Sequence, residues 1–113
     1  MPLHQIACNV VKPFLSIHGI HPLKQHNIEE LIEHTRVNFP YVTHIAVFGS
    51  TVDGRCRVDS DIDIVVWGAD DKKFYPPDND TYDVFRAGDV MKEPKLREDI
   101  ENEGVVVYVK DFD

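Results

Sequence analysis

The sequence is poor in cysteine and has no long hydrophobic run, and both deficits limit the classes of protein that it can represent. Two cysteines, Cys8 and Cys56, in a chain of 113 residues are too few for a disulfide framework, so we interpret them as reduced thiols. No apolar run approaches the roughly 20 residues that a membrane-spanning helix needs. The first residues carry no basic segment followed by an apolar one, so no signal peptide is predicted and the cytoplasm is the expected location.

Basic residues are also scarce. The chain has 12 Lys and Arg against 20 Asp and Glu, which gives a net charge of −8. Direct DNA binding is therefore not expected, because proteins bind nucleic-acid backbones through Lys and Arg. An acidic protein can still bind a nucleoside triphosphate when metal cations lie between the two. The length and the apolar fraction of 42% predict one globular domain over residues 1–113.

The spacing of apolar residues predicts an α+β fold. Residues 1–26 form an N-terminal extension that is difficult to interpret, with a short helix around residues 6–15. Residues 51–60 and 68–80 are polar and predict loops. The remaining elements alternate between strands and helices, which predicts a small sheet packed with helices. They are a helix capped by Asn27 that ends before Pro40, strands at 41–48, 61–67 and 81–86, a helix at 94–103, and a strand at 105–109.

Two aspartates on one predicted strand are the first candidate for a functional site. Gly49-Ser50 ends the preceding strand, and ten residues separate it from Asp61-Ile62-Asp63. Because side chains alternate along a strand, Asp61 and Asp63 share one face, with Cβ atoms about 7 Å apart. Two carboxylates on a strand that is otherwise apolar repel each other and resist desolvation. A cation between them removes the conflict, and Mg²⁺ is the natural candidate because it binds carboxylate and phosphate oxygens together.

Asp83 extends this site to the next predicted strand. If the two strands are neighbours, three carboxylates converge, and three carboxylates can hold two metal ions about 3.5–4 Å apart. Such a pair of ions stabilises the attacking and leaving oxygens in phosphoryl and nucleotidyl transfer. Gly49 then lets backbone amides approach a triphosphate, and the Ser50 hydroxyl can donate a hydrogen bond to a phosphate oxygen.

The stretch GSTVDGRCRVDSDIDIVV, with Asp83 downstream, resembles the polymerase-β-like nucleotidyltransferase superfamily, and within it the minimal nucleotidyltransferases. The closing segment KLREDIENEGVVVYV is similar to the last helix and strand of that group, so the resemblance covers about three quarters of the chain. It implies a mixed sheet flanked by helices, with Gly49 and Ser50 at the triphosphate. It also implies that Asp61 and Asp63 hold two Mg²⁺ ions, with Mn²⁺ as a substitute, and that Asp83 holds the ion that activates the acceptor.

One position departs from the family pattern. The group commonly has an arginine directly before the glycine that follows Gly-Ser, and this chain has Asp53 before Gly54. Arg55 and Arg57 are the nearest residues that can supply the missing charge. We take Arg57 as the nucleotide-binding candidate. Contact between this loop and the phosphates depends on whether Arg57 replaces the missing arginine.

The resemblance also implies a reaction and a partner. The expected reaction transfers AMP from ATP, or the corresponding group from another nucleoside triphosphate, to an acceptor hydroxyl. Minimal nucleotidyltransferases commonly act as antitoxins beside a helical HEPN-domain protein, so the expected acceptor is a tyrosine hydroxyl of such a partner. Two alternatives stay open. The first is a catalytically weak module that neutralises its partner by binding, which the substitution at Asp53 favours. The second is an enzyme that acts on a small hydroxylated molecule as a homodimer.

Competing interpretations of the same residues fit the sequence less well. A calcium loop beginning at Asp59 would need glycine where Ile64 stands and glutamate where Asp70 stands. A phosphate-binding P-loop would need Lys-Ser or Lys-Thr where Arg55-Cys56 stands. An isolated Asp-x-Asp is usually a solvated face, but here Gly49-Ser50 precedes it at the family spacing.

Other conspicuous residues receive ordinary structural interpretations. His18 and His21 have Gly19 between them and Pro22 after them, which favours surface histidines over a zinc site. The acidic residues between 70 and 80 are expected to be solvated. Phe48 and Trp67 are predicted to lie in the core, and the alternative is an exposed anchor for a partner.

Overall fold

The computed structural model describes residues 24–49, 52 and 60–110. The short helix predicted around residues 6–15 lies outside these residues. So do Ser50, Asp53, Arg55 and Arg57 of the predicted phosphate loop.

Three helices and four strands make up the described part of the chain. The last helix begins at Pro94, which suits a first helical position, and ends before Gly104, as the sequence predicts. In chain order the elements are α1 (Gln25–Asn38), β1 (His44–Phe48), β2 (Ile62–Trp67), β3 (Tyr82–Arg86), α2 (Ala87–Val90), α3 (Pro94–Glu103) and β4 (Val105–Val109).

The four strands form one mixed sheet in the order β3-β2-β1-β4. Strand β1 pairs antiparallel with both β2 and β4, whereas β2 and β3 run parallel. Strand β2 is therefore an interior strand, and its run of apolar residues suits burial on both faces. This arrangement confirms the predicted α+β fold with a small mixed sheet and flanking helices.

Helices cover both faces of the sheet. On one face, Ile28 and Leu31 of α1 pack in the same core cluster as Ile62 and Ile64, and all four are fully buried. The opposite face carries Phe48, Trp67 and Ile100 of α3, among others. Phe48 is 6% exposed and Trp67 is 2% exposed, so the prediction that both lie in the core is confirmed. No helix in the described ranges is long and apolar enough to cross a bilayer.

The start of α1 differs from its prediction. The helix begins at Gln25 and is preceded by Lys24, so the prediction that Asn27 caps it is wrong. Asn27 is the third residue of the helix, where its carbonyl oxygen accepts a hydrogen bond from the Tyr82 hydroxyl at 2.6 Å. This tertiary contact favours continuing the helix through a residue that, taken alone, favours a cap.

The segment between β2 and β3 has neither helix nor strand, as predicted, but it is not entirely solvated. The Phe74 side chain is only 7% exposed and belongs to the core. The Arg86 guanidinium donates hydrogen bonds to the carbonyl oxygens of Ala69 and Lys72, at 2.6 Å for Lys72, and ties the segment to β3. Helix α2 was not predicted, because four residues are too few to show a helical period.

Candidate active site

Asp63 lies near the start of β2 on the face predicted for it. Its neighbours Ile62 and Ile64 are fully buried on the other face of the sheet, so the expected alternation holds. Asp63 is in register with Phe48, the last residue of β1. The carboxylate therefore lies at the edge of the sheet where β1 ends and where β2 begins.

Gly49 follows β1 directly and lies against the Asp63 carboxylate. Its φ of 76° is in the left-handed region, which favours glycine. A Cβ atom at this position would lie 2.5 Å from Oδ2 of Asp63, closer than real contacts allow. A side chain at this position would therefore be strained by the backbone conformation and would require the adjacent carboxylate to shift. The sequence suggested a role for Gly49 at the phosphates, but its contact with Asp63 depends on the pairing of β1 with β2.

Asp83 lies beside Asp63 on the neighbouring strand. The two residues are direct partners in the parallel pairing of β2 with β3, and neighbouring strands lie about 4.8 Å apart. Asp63 is half-buried, whereas Asp83 and Asp61 are exposed. The structure therefore brings Asp63 and Asp83 together, as the sequence predicts, and places Asp61 directly before β2.

The site has an unfavourable electrostatic environment for its central carboxylate. Burial, followed by the negative charges of Asp83 and Asp61, raises the pKa of Asp63 from 3.8 to about 6. All three causes disfavour the ionised form, and no cause that lowers this pKa accompanies them. Bound positive charge would reverse the effect of the two neighbouring aspartates.

An aromatic pair lies on the same face of the sheet as the carboxylates. The rings of Phe48 and Phe85 have centroids 5.4 Å apart. Phe48 is opposite Asp63, and Phe85 is two residues beyond Asp83 on the same face of β3. These rings contribute apolar surface beside the carboxylates. The sequence analysis did not single out Phe85, although the alternation Asp83-x-Phe85 places both side chains on one face.

The donor atoms at this edge suit a hard divalent cation. Carboxylate oxygens are the ligands that Mg²⁺ prefers, and Mg²⁺ typically binds one or two carboxylates together with phosphate oxygens. Across residues 24–49, 52 and 60–110, no three His, Cys, Asp or Glu side chains are gathered closely enough to hold a metal ion by themselves. The assignment of Asp61, Asp63 and Asp83 as metal ligands stays a prediction.

Comparison with protein-family models gives a match over most of the chain. The model for the nucleotidyltransferase domain matches residues 28–111. The chain belongs to the nucleotidyltransferase domain family. Neither the comparison with curated proteins nor the comparison with solved structures gave a match. Family membership supports nucleotidyl transfer as the general chemistry. The matched residues include the strands that position Gly49, Asp63 and Asp83.

The loop that the sequence predicts to bind phosphate is described only at Gly49 and Val52. The Val52 amide donates a hydrogen bond to the Gly49 carbonyl at 3.1 Å. Val52 also packs against the core. The contributions predicted for Ser50 and Arg57 lie outside the described residues and stay predictions.

Proposed function

We propose that this nucleotidyltransferase domain transfers AMP from ATP to a hydroxyl group of a partner protein, using Asp61, Asp63 and Asp83. The observation that carries the proposal is the pairing of Asp63 with Asp83 on adjacent parallel strands, with the side-chain-free Gly49 against Asp63. A residue that only stabilises the fold would not be expected to keep a carboxylate whose pKa is raised to about 6 by its surroundings.

Each aspartate has a different environment and is assigned a different task. Half-buried Asp63 lies at the centre, where its carboxylate can be shared between two cations. Exposed Asp61 lies directly before β2, close enough to Asp63 for its negative charge to raise the pKa of Asp63. Asp83 is on β3, an edge strand, so an acceptor can approach it from outside the sheet.

The reaction forms one bond and breaks one bond at the α-phosphorus of ATP. The acceptor oxygen attacks this phosphorus, the bond to the bridging oxygen breaks, and pyrophosphate leaves with that oxygen. The proton of the acceptor hydroxyl passes to solvent on the side of Asp83. Two Mg²⁺ ions, or Mn²⁺ ions, held by the three aspartates would neutralise the triphosphate and lower the pKa of the acceptor hydroxyl.

The partner follows from the family resemblance. Minimal nucleotidyltransferases are paired with helical HEPN-domain proteins in toxin–antitoxin modules, and we propose that this chain is the antitoxin of such a pair. The described residues form one small sheet with its helices and contain no additional helical domain to bind an acceptor. An acceptor on a second protein is consistent with that composition.

A binding module without transfer activity is the second candidate. Asp53 stands where the group commonly has an arginine. Such a module would bind ATP weakly and neutralise its partner by occlusion. An enzyme acting on a small hydroxylated molecule remains a further alternative.

Labelled ATP distinguishes these candidates. The chain is incubated with α-labelled ATP, Mg²⁺ and a purified HEPN-type protein, and label and mass are followed on the partner. Transfer predicts a mass gain of one or more AMP groups on the partner, which is lost in Asp63→Asn and retained in Asp99→Asn. Asp99 is an exposed aspartate on α3, so its substitution makes the same chemical change away from the site.

Occlusion predicts a different result from the same mixture. It gives a stable complex without a mass gain, and inhibition of the partner survives Asp63→Asn.

The companion variant Asp53→Arg tests the predicted phosphate loop. If the substitution has weakened phosphate contact, restoring arginine lowers the apparent KM for ATP, and an unchanged KM means that Arg57 or another residue already supplies the charge.

A further inference from the structure

A second group of side chains lies at the opposite edge of the sheet, where β1 begins and β2 ends. It is built on aromatic rings from α1, from the turn before β1 and from the segment after β2. Phe39 is in contact with Phe74 and Tyr75, with ring centroids 5.0 Å apart in both pairs. His34 contacts Tyr75 at 5.6 Å between centroids, and its Nε2 is 3.1 Å from the Tyr75 carbonyl oxygen. Phe39 and Phe74 are buried, so the inner part of this group is ordinary core.

The outer part of the group has exposed hydrophobic side chains, and packing of the core does not account for them. Val37 is 64% exposed and Tyr75 is 43% exposed, and in the described ranges these are the exposed large hydrophobic residues. They lie near each other, because Val37 is three residues after His34 on the same side of α1 and His34 contacts Tyr75. A single exposed hydrophobic residue needs no explanation, but two that flank one histidine form a patch.

Two lysines lie beside the patch. The Lys72 ammonium is 5.3 Å from the centroid of the Tyr41 ring, and the Lys73 ammonium is 5.4 Å from that of Tyr75. Neither lysine forms an ion pair with a described carboxylate. We call His34, Val37, Lys72, Lys73 and Tyr75 the basic aromatic surface.

A cavity lies beside this surface, and two of its lining residues are basic. It has a volume of about 290 Å³ and is lined by Arg36, Pro40, Tyr108, Val109 and Lys110. Lys110 Nζ donates a hydrogen bond to the Pro40 carbonyl oxygen, and Arg36 pairs with Glu33, which is exposed. Glu33 offsets the charge of Arg36. Lys72, Lys73 and Lys110 remain as lysines near the turn that contains Pro40 and Tyr41, without an ion pair to a described carboxylate.

We propose that the basic aromatic surface and the adjacent cavity bind an acidic segment of another protein, which inserts an aromatic side chain beside Val37 and Tyr75. Charge complementarity selects an acidic partner, and the exposed apolar side chains supply the central contact that gives an interface its affinity. A second copy of this chain does not fit, because a two-fold interface would place these cations against themselves. Nucleic acid fits less well, because Val37 offers no surface for base stacking.

The surface is separate from the candidate active site. Gly49 and Asp63 lie where β1 ends, whereas Tyr41 precedes its start, and a strand of five residues spans about 16 Å. The inference therefore does not rest on the proposed transfer reaction. Substitutions on the basic aromatic surface should leave nucleotide binding unchanged.

Synthetic polymers test the chemistry of the proposed partner. The probes are a labelled glutamate–tyrosine copolymer, polyglutamate of equal length, and single-stranded oligouridylate, each titrated at physiological ionic strength. We expect saturable binding of the copolymer that is about tenfold tighter than that of polyglutamate, which corresponds to the added aromatic contact. Lys72→Glu with Lys73→Glu should weaken copolymer binding about tenfold or more, and Tyr75→Ala should reduce it to the polyglutamate level.

The matched control reverses two exposed lysines elsewhere. Lys92→Glu with Lys95→Glu makes the same change in net charge near α3 and should retain copolymer binding close to that of wild type. All four lysines are exposed, so each variant should fold, and thermal melting checks this. Equal binding of the two polymers, equal loss in both double variants, or tighter lysine-dependent binding of oligouridylate would each overturn the proposal.

Discussion

Replacing Asp63 with asparagine should stabilise the metal-free protein at neutral pH. Asparagine keeps the size of the side chain and removes the charge that burial, Asp83 and Asp61 all disfavour. In the folded protein the pKa of Asp63 is raised to about 6 from an ordinary 3.8. Each pH unit of difference corresponds to about 1.4 kcal/mol, so the ceiling on the effect is about 3 kcal/mol. Because Asp63 is only half-buried and solvent screens part of the repulsion, we expect about 1–2 kcal/mol.

The sign of the pH dependence follows from proton binding. Between pH 4 and pH 6 the folded protein holds a proton on Asp63 that the unfolded chain has already released, so wild-type stability falls as the pH rises through this window. Below pH 4 both states are protonated and the difference disappears. The advantage of Asp63→Asn should therefore be near zero at pH 4, grow up to pH 6 and stay constant above it.

Denaturant unfolding in EDTA measures this difference. Trp67 is the single tryptophan of the chain and is 2% exposed, so its fluorescence reports loss of the core. Asp99→Asn serves as the control, since it removes an exposed charge outside the site. An Asp63→Asn variant that is less stable than wild type at pH 7.5, or whose advantage does not change between pH 4 and pH 6, would refute the electrostatic argument. With Mg²⁺ and ATP present the order should reverse, because ligand binding stabilises only the protein that retains the site.

Three further predictions concern other parts of the fold and the site. Gly49→Ala should lower the free energy of unfolding by about 1–3 kcal/mol and weaken nucleotide binding, because its φ strains a residue with a Cβ and the Cβ would displace the Asp63 carboxylate; denaturant titration and ATP binding measure the two effects. Asp83→Ala should abolish transfer of label while leaving ATP affinity within a few-fold of wild type, since Asp83 is assigned to the acceptor side; equal loss of affinity in Asp83→Ala and Asp61→Ala would contradict that division. Thr35→Val should raise the free energy of unfolding by about 1 kcal/mol, because the buried Thr35 hydroxyl has no hydrogen-bond partner among the described residues and valine keeps its shape; a destabilised variant would mean that the hydroxyl is satisfied after all.

The sequence predicts the positions of the carboxylates well because they depend on local alternation. Ile62 and Ile64 leave Asp63 only one face, and the next predicted strand supplies Asp83. The contact between Gly49 and Asp63 could not be predicted in the same way, because it depends on how β1 is aligned with β2. That alignment is set by pairing across the sheet, and no local pattern reports it.

The remaining misses have similar causes. Asn27 favours a helix cap locally, but its carbonyl accepts a hydrogen bond from Tyr82, which lies far away in the sequence. The burial of Phe74 likewise involves contact with Phe39, which precedes β1 and is distant in the sequence. Contacts of this kind join segments that are distant in the sequence, and they leave no local pattern of apolar residues. Composition and spacing therefore predict only loops for such segments.

The position of the two paired aspartates in the sheet has a consequence for how the backbone responds to substrate. Strand β2 is hydrogen bonded on both sides, so its amide protons should exchange with solvent mainly when the whole protein unfolds. Among the strands that the structure describes, β3 is bonded to a neighbour on one side only, and its amides can exchange through smaller openings. Asp63 is therefore held by a backbone that is already ordered, whereas Asp83 is held by one that can still gain protection. Binding of nucleotide and metal should slow amide exchange more in β3 than in β2.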